Sequence, residues 1–491
     1  MDVLGRRVET SPTATALVAG EHEWSYTDLD ATVERVAGRL AALGLGPGDH
    51  LGVLTETRPA AVALVHAAAR LGCVLVAFNA RLTPTELGSQ VERAGLAALV
   101  CEADTEETAI DVADGLPVAS VDGTTTNDAT ALDTVEPAAF EPSPRPAEQP
   151  ALLLATSGTT GEPKLVVLTG ENLRSSAVAS AFRLGLSPDD RWLDPLSVYH
   201  MGGFAPVFRS ALYGTTVVLP EGGFDPETTL AALDDHDCTG VSLVPTMLRR
   251  LLDAGSLPDS LRFVLLGGAP TPPELVDRCA RRGIPVCPTY GMTETASQVA
   301  TARPEEAVAH TGTVGRPLFG TRLSMLDGAG DPVETGETGE IVVSGPTVFE
   351  GYYGDDDATA SAFSAAGFHT GDVGHRDAAG RLWVTGRLDD RIQTGGELVD
   401  PREVAAVLRD HPAVEDVAVV GLPDPEWGER VGAVVVRKDV VDRAELDTHC
   451  RERLAGFKLP RTMAFADSLP RTASGTVERD AVRRRLLDHG E

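Results

Sequence analysis

Apolar residues along this chain switch repeatedly between a helical period and short β runs, and that rhythm limits the fold more than any other feature. From Trp24 onward Leu29, Val33, Val36, Leu40 and Leu43 recur at spacings of four and three, with Thr27 placed to cap a helix and Gly44 to end it. A β run at 51–54 follows, then a helix pattern over 60–71 and a β run over 73–78. Asn79-Ala80-Arg81-Leu82 then leads to a helix capped near Thr83. Strands and helices alternating at these lengths predict a parallel sheet covered on both faces.

Residues 104–149 interrupt the rhythm. They are rich in Ala, Asp, Glu, Thr and Pro, which predicts peripheral strands and a surface connection with little core. The rhythm returns with β runs at 192–196, 215–219, 241–244, 263–266 and 286–289, and with helix patterns such as 226–234 and 273–282. From Gly312 short β runs broken by Gly and Asp suggest a small barrel or hairpin stack. Beyond Arg387 a separate α+β pattern appears, with helices at 402–408 and 444–454 and strands at 414–421 and 431–436.

With 491 residues the chain exceeds one compact core. No apolar run approaches the roughly 18 residues of a membrane helix, and the start, Met1-Asp2-Val3-Leu4-Gly5-Arg6, reads as no secretory leader. The six cysteines are scattered, without Cys-x-x-Cys or a histidine at zinc spacing, and read as free thiols in a reducing cytoplasm. Acidic residues number 73 against 42 basic ones, a net charge of −31 that repels polyanions and argues against nucleic acid as a partner. A phosphate ligand must then be held by local donors. The acidity also suits molar salt, where the Debye length is about 3 Å and self-repulsion is screened. The three lysines are Lys164, Lys438 and Lys458, and such scarcity draws attention to the first and last of them.

Lys164 closes the stretch Thr156-Ser157-Gly158-Thr159-Thr160-Gly161-Glu162-Pro163-Lys164, which follows the apolar Leu152-Leu153-Leu154. Its hydroxyls and backbone N–H groups can converge on one anion, Gly158 and Gly161 permit close backbone approach, and Lys164 adds a point charge. That composition suits a polyphosphate. It is not a Walker loop, since no Gly-Lys-Ser/Thr closes it. A polar turn between two strands has the same composition.

Four other stretches carry chemistry. Gly267-Gly268-Ala269-Pro270 ends a β run in glycines, which lets a flat ring or a phosphate lie against the backbone, although a plain strand-to-helix turn reads alike. Tyr290-Gly291-Met292-Thr293-Glu294 offers an aromatic platform and a carboxylate able to bind a divalent cation, or else a capped helix start. Asp372, after Gly371, has two oxygens for a ribose diol, or sits in a β-turn. Gly386-Arg387-Leu388-Asp389-Asp390 is charged and glycine-flanked as a hinge would be, with Gly395, Gly396 and Glu397 just beyond.

In this order and spacing the stretches resemble the adenylate-forming superfamily of acyl-CoA synthetases, adenylation domains and luciferases, from about Trp24 to Leu486. The resemblance implies an α/β fold: a large N-terminal domain, 1–387, of two βα-layered parts plus a small β-barrel, followed by a small mobile α+β domain, 388–491. It implies ATP, CoA, Mg²⁺ and a small carboxylic acid as ligands and reactants, and leaves homo-oligomerisation open. It further implies that Thr156 to Lys164 wrap the ATP phosphates, with Thr160, Lys164 and Glu294 catalytic and Glu294 meeting Mg²⁺. Gly268, Ala269, Pro270, Tyr290, Gly291, Met292 and Thr293 would border the nucleotide, and Asp372 and Arg387 the ribose. Asp389 would be the hinge, with Gly395, Gly396 and Glu397 admitting CoA.

Within the superfamily the chain is most similar to the o-succinylbenzoate-CoA ligases of menaquinone synthesis. Tyr199-His200-Met201-Gly202-Gly203-Phe204, the run 208–219 and Thr293-Glu294-Thr295-Ala296-Ser297-Gln298 carry that likeness. It assigns His200, Gly202, Arg209, Gly267 and Ser297 to the acid pocket. Arg209 is the candidate for a second substrate carboxylate, since a guanidinium grips one through two parallel bonds; a helix-capping or surface arginine is the plain alternative. The sequence departs from the family at Gly-Glu-Pro-Lys-Leu in the first loop, at Thr169-Gly170-Glu171-Asn172, and at Thr476, where a lysine normally joins ATP and carboxylate. Lys458, Arg471 or Arg479 could supply the missing charge. A broader medium-chain acyl- or aryl-CoA ligase, or a non-catalytic acyl-nucleotide binder, are the rival expectations.

Overall fold

The computed structural model describes residues 2–156, 163–394, 397–425, 427–454, 456–471 and 477–489. Ser157, Gly158, Thr159, Thr160, Gly161, Gly395, Gly396 and Thr476 therefore lie outside the described residues, as do the side chains of Asp389 and Glu397. Backbone contacts divide the chain into two compact units, one of Met1–Leu323, Val343–Phe368 and Gly380–Leu382, the other of Ser324–Val342, His369–Ala379 and Trp383–Glu491.

The first unit contains two large sheets. One has eight strands, in the order Gly351–Tyr352, Lys164–Thr169, Pro150–Thr156, Val74–Ala77, His50–Leu54, Ala98–Cys101, Val118–Ser120 and Thr130–Ala131. From Pro150–Thr156 to Thr130–Ala131 neighbouring strands are parallel, while Lys164–Thr169 turns back antiparallel on Pro150–Thr156. The other sheet has nine strands: Arg316–Pro317, Ser297–Thr301, Val286–Met292, Phe263–Leu266, Gly240–Leu243, Arg191–Leu193, Thr216–Leu219, Thr15–Ala19 and His22–Ser25.

Strand periodicity sorts the core into layers. Leu51, Val53, Leu75, Leu152 and Leu154 of the first sheet share one buried cluster with Leu17, Val217 and Leu219 of the second. Their neighbours Leu54, Val74, Val76 and Leu153 face an outer layer with helices Pro84–Ala94 and Glu106–Ala113. Val18, Val218, Val241, Leu243, Val264 and Leu266 face the opposite outer layer. Successive residues on a strand point to opposite faces, so each sheet is buried on both sides. Helices Pro59–Leu71 and Met201–Tyr213 contribute to the shared central cluster and are apolar nearly all round, as a helix enclosed by neighbours must be.

Two expectations need correction. The helix Tyr26–Ala42 is capped by Ser25, not Thr27: the Ser25 hydroxyl accepts from the Asp28 N–H and the Asp28 carboxylate from the Ser25 N–H, a reciprocal box that Thr27 could not form. The 104–149 stretch supplies the two strands at one edge of the sheet, Val118–Ser120 and Thr130–Ala131, as its composition implied, but carries more core than expected. It contains helix Glu106–Ala113, whose first residue is buried and accepts the backbone N–H groups of Thr125 and Thr126. Those bonds tie the loop beyond strand Val118–Ser120 back to the start of the helix.

Strands Arg322–Leu326, Gly339–Ser344, Gly367–Arg376, Phe363–Ser364 and Leu382–Arg387 form a five-stranded sheet in the region read as a barrel or hairpin stack, and the division between units runs through it. In the second unit a further sheet of Glu397–Val399, Ile392–Thr394, Gly428–Arg437, Val414–Asp424 and Thr462–Ala466 carries helices Pro401–Arg409 and Arg443–Arg451 over one buried cluster. Helix Arg479–His489 covers the other with Val482 and Leu486.

Candidate active site

Strands Phe263–Leu266 and Val286–Met292 run parallel with Leu266 in register with Pro288; the Gly267-Gly268 stretch leaves from the carboxyl end of the first, and Tyr290-Gly291-Met292 continue the second beyond that level. This is where open α/β sheets place ligands. Gly267 packs against Thr289, and Gly268, with φ of +76°, turns the chain into an exposed rim with Ala269 and Pro270. Tyr290 is half-buried at the next strand end. A Cβ at Gly291 would come within 1.7 Å of the Ser297 carbonyl oxygen, so no other residue fits that crossing. A single 3-10 turn, Thr293–Thr295, rather than an α-helix, then carries Glu294. Ala296 and Ser297 follow with φ of +50° and +108°, a conformation non-glycine residues adopt at a cost.

Strand register places Lys164 opposite Thr156, closing the hairpin whose loop is the candidate phosphate cradle. The Pro163 carbonyl accepts from Arg93, which fixes the loop's exit. Lys164 Nζ lies 4.8 Å from the centre of the Tyr352 ring, and the Tyr352 hydroxyl donates to Glu294 Oε1 at 3.2 Å. The Phe349 N–H also donates to the Glu294 carbonyl at 2.8 Å. Among the described residues no group of three His, Cys, Asp or Glu side chains is placed to hold a metal ion. A lone carboxylate fits Mg²⁺ shared with substrate phosphates, the usual way this ion is held, and not a cage made by protein alone.

Exposed His200 occupies the N-cap position of helix Met201–Tyr213 without a side-chain bond to it, its ring edge-on to Tyr199, and Gly202, the second residue of the helix, packs against Leu196. On the same helix Arg209 is 2% exposed, which excludes the surface alternative. Its Nη2 donates to Ser176 Oγ at 2.8 Å and its Nη1 to Gln298 Oε1 at 3.1 Å. Ser176 Oγ in turn donates to the Ala296 carbonyl at 2.5 Å, so the guanidinium is wired to the strained turn before Ser297. Burial holds the Arg209 pKa below the usual arginine range. Asp194, at the end of strand Arg191–Leu193, is fully buried; burial raises its pKa well above the carboxylate range, and its Oδ2 has no hydrogen-bond partner among the described residues.

In the second unit the structure unites two motifs that the sequence keeps apart: Arg387 Nη1 lies 3.7 Å from Asp372 Oδ1. Asp372 is held by its N–H to Thr370 Oγ1, and the adjoining Gly371 N–H by Glu340 Oε1. The three cations proposed to replace the family's lysine are all engaged by acids, Lys458 with Glu403 and Arg471 with Asp416 at 2.6 Å each, and Arg479 with Asp390.

Residues 4–353 match the family of AMP-binding enzymes, and residues 403–476 match the AMP-binding enzyme C-terminal domain. The chain belongs to the AMP-binding enzyme family. Among its relatives is the 2-succinylbenzoate–CoA ligase of Bacillus licheniformis, 39% identical over 97% of this chain and 98% of that one. The o-succinylbenzoate CoA synthetase of Bacillus subtilis in complex with the acyl-adenylate intermediate OSB-AMP superposes with a TM-score of 0.92 at 35% identity, covering 98% of each chain. The same enzyme in complex with ATP and magnesium ion gives 0.90 at 35% identity over 99% of each. The adenylate-forming fold and the o-succinylbenzoate-CoA ligase likeness read from the sequence agree with this family assignment.

Sequence reasoning passed over Tyr352, Ser176, Glu340 and Asp194, and named Gln298 only as the end of the run from Thr293. Only Tyr352 carried a local signal, its place in the aromatic, glycine-bearing run Phe349-Glu350-Gly351-Tyr352-Tyr353. No described helix is long and apolar enough to cross a membrane.

Proposed function

We propose that this protein is an AMP-forming acid–thiol ligase that joins 2-succinylbenzoate to CoA, a step of menaquinone synthesis. The observation that carries the reading is the full-length likeness to enzymes named for that reaction, at 39% identity over 97% of the chain. The substrate carboxylate attacks the α-phosphorus of ATP, forming the acyl-adenylate and releasing pyrophosphate; the CoA thiol then displaces AMP to give the thioester. Bound Mg²⁺ would neutralise charge on the phosphates, with Glu294 as its protein ligand. Adenylation is chiefly a matter of positioning and charge. The loop 156–164 and Lys164 hold the β and γ phosphates, with Thr160 and Lys164 acting on the reaction. Gly268 to Pro270 and Tyr290 to Thr293 border the adenine. Asp372 and Arg387 hold the ribose.

His200, Gly202, Gly267 and Ser297 line the acid pocket, and Arg209 takes the carboxylate that is not activated. In support, Arg209 is a buried cation with no carboxylate among its described partners, a situation whose desolvation cost an anionic substrate would offset. Residues 1–387 act as the adenylation domain. Residues 388–491 turn about Asp389 between half-reactions and present Gly395, Gly396 and Glu397 for CoA entry. The acidic composition suits a high-salt cytoplasm.

Pyrophosphate release is the direct test, assayed in high salt with 2-succinylbenzoate, benzoate and medium-chain fatty acids. Release with the first alone supports the assignment. A preference for fatty acids would move the chain to a broader acyl-CoA ligase. No release with any acid would leave a nucleotide binder.

A further inference from the structure

Three segments distant in sequence meet at one side chain. Tyr352 lies on the edge strand Gly351–Tyr352, which pairs antiparallel with Lys164–Thr169, Tyr352 opposite Val166. Its ring faces Lys164 Nζ at 4.8 Å, and its hydroxyl reaches Glu294 Oε1 at 3.2 Å. The segment is fixed on every side. The Tyr352 N–H donates to Thr359 Oγ1 at 2.9 Å, the Tyr353 N–H to the Leu165 carbonyl at 2.8 Å, and the Phe349 ring packs edge-on against Tyr352 at 4.9 Å. The Phe349 N–H holds the Glu294 main chain while Tyr352 holds its carboxylate, so one short segment grips Glu294 at both ends.

We infer that Tyr352 is a positioning residue for adenylation, aligning the Glu294 carboxylate for the divalent cation and the Lys164 ammonium for the phosphates of one nucleotide. The inference rests on the proposed role of Glu294 and adds a residue to it. A carboxylate oxygen that accepts a fixed O–H cannot swing freely. An ammonium over an aromatic face is attracted to it without being neutralised, so its charge stays available to a polyanion, unlike that of the acid-engaged Lys458. Hydrogen-bonding partners of a metal ligand set its orientation, and their loss commonly costs about 10- to 100-fold in metal affinity or activity.

The test uses the full-length protein, with Mn²⁺ in place of Mg²⁺ and a non-hydrolysable ATP analogue, and reads free Mn²⁺ by electron paramagnetic resonance. Tyr352→Phe, which keeps the ring, should weaken Mn²⁺ binding about 10-fold and raise the Mg²⁺ concentration that half-saturates pyrophosphate release. Thioester formation from chemically prepared acyl-adenylate should not change. Tyr352→Leu, which also removes the face over Lys164, should in addition raise the KM for ATP. Glu294→Gln is the reference. If Glu294→Gln weakens Mn²⁺ binding and Tyr352→Phe leaves it unchanged, the inference is overturned and the proposed function stands. If neither variant moves it, the metal role of Glu294 falls as well. Equal slowing of both half-reactions by Tyr352→Phe would also overturn it, as the mark of a merely structural residue.

Discussion

Arg209 donates to Gln298 Oε1 across 3.1 Å in the interior of the first unit, and its described partners, Ser176, Ser180 and Gln298, are all neutral. A guanidinium stripped of water usually has an acid beside it. Here the hydrogen bonds orient the charge and leave its compensation to something else.

If that something is the second carboxylate of the substrate, Arg209→Gln should lower kcat/KM for 2-succinylbenzoate by about 2–5 kcal/mol, chiefly through KM for the acid. KM for ATP should hold steady, and a monocarboxylic analogue should lose far less. An equal loss for both acids would instead make Arg209 a support of the turn at Ala296 and Ser297.

Lys164→Ala should reduce pyrophosphate release by about 10²- to 10³-fold, the usual effect of deleting one charge-stabilising donor. The expected loss is large because Lys458, Arg471 and Arg479 are each committed to a carboxylate. A near-normal rate from this variant, measured by coupled pyrophosphate assay, would place the phosphate contacts elsewhere.

Thr476→Lys restores the family's usual charge. The expected outcome is adenylation faster by about 10-fold or more, with thioester formation from preformed acyl-adenylate unaltered. An unchanged adenylation rate would show that another cation already fills that role.

Asp194 governs a pH effect. Its folded pKa is raised by burial, so the folded form binds a proton that the unfolded form releases above the ordinary carboxylate range. Its contribution to stability is therefore complete at low pH and is lost as pH rises toward the folded pKa, at no more than about 1.4 kcal/mol per pH unit. Relative to the native protein, Asp194→Asn should show a flatter Tm over that window and a higher Tm at neutral pH. Parallel profiles for the two would mean that Asp194 is not held neutral.

Much of the fold was legible in the sequence. The helix Pro59–Leu71 and the strand Phe263–Leu266 fall within a residue of the periodic segments that announce them. The nucleotide stretches were legible for a related reason, since a glycine at a strand end and a carboxylate after it are local arrangements. The cap at Ser25 was missed because two hydroxyls two residues apart compete for one role, and only the Asp28 side chain decides between them. Helix Glu106–Ala113 was missed because its acidic, Ala-rich composition is also that of a surface linker, and burial of Glu106 depends on donors from Thr125 and Thr126.

Alone, the sequence determined the alternation of strands and helices, the two-sided burial of the sheets and the order of the nucleotide motifs, all of which are patterns among near neighbours. Tertiary structure decided which distant residues share a site. It put the Tyr352 ring against Lys164 and its hydroxyl on Glu294, Arg387 beside Asp372, and Arg209 among neutral donors and acceptors instead of on the surface. The physical reason is strand register: the antiparallel pairing of Gly351–Tyr352 with Lys164–Thr169 decides which side chains meet, and a slip of one residue would turn Tyr352 to the other face.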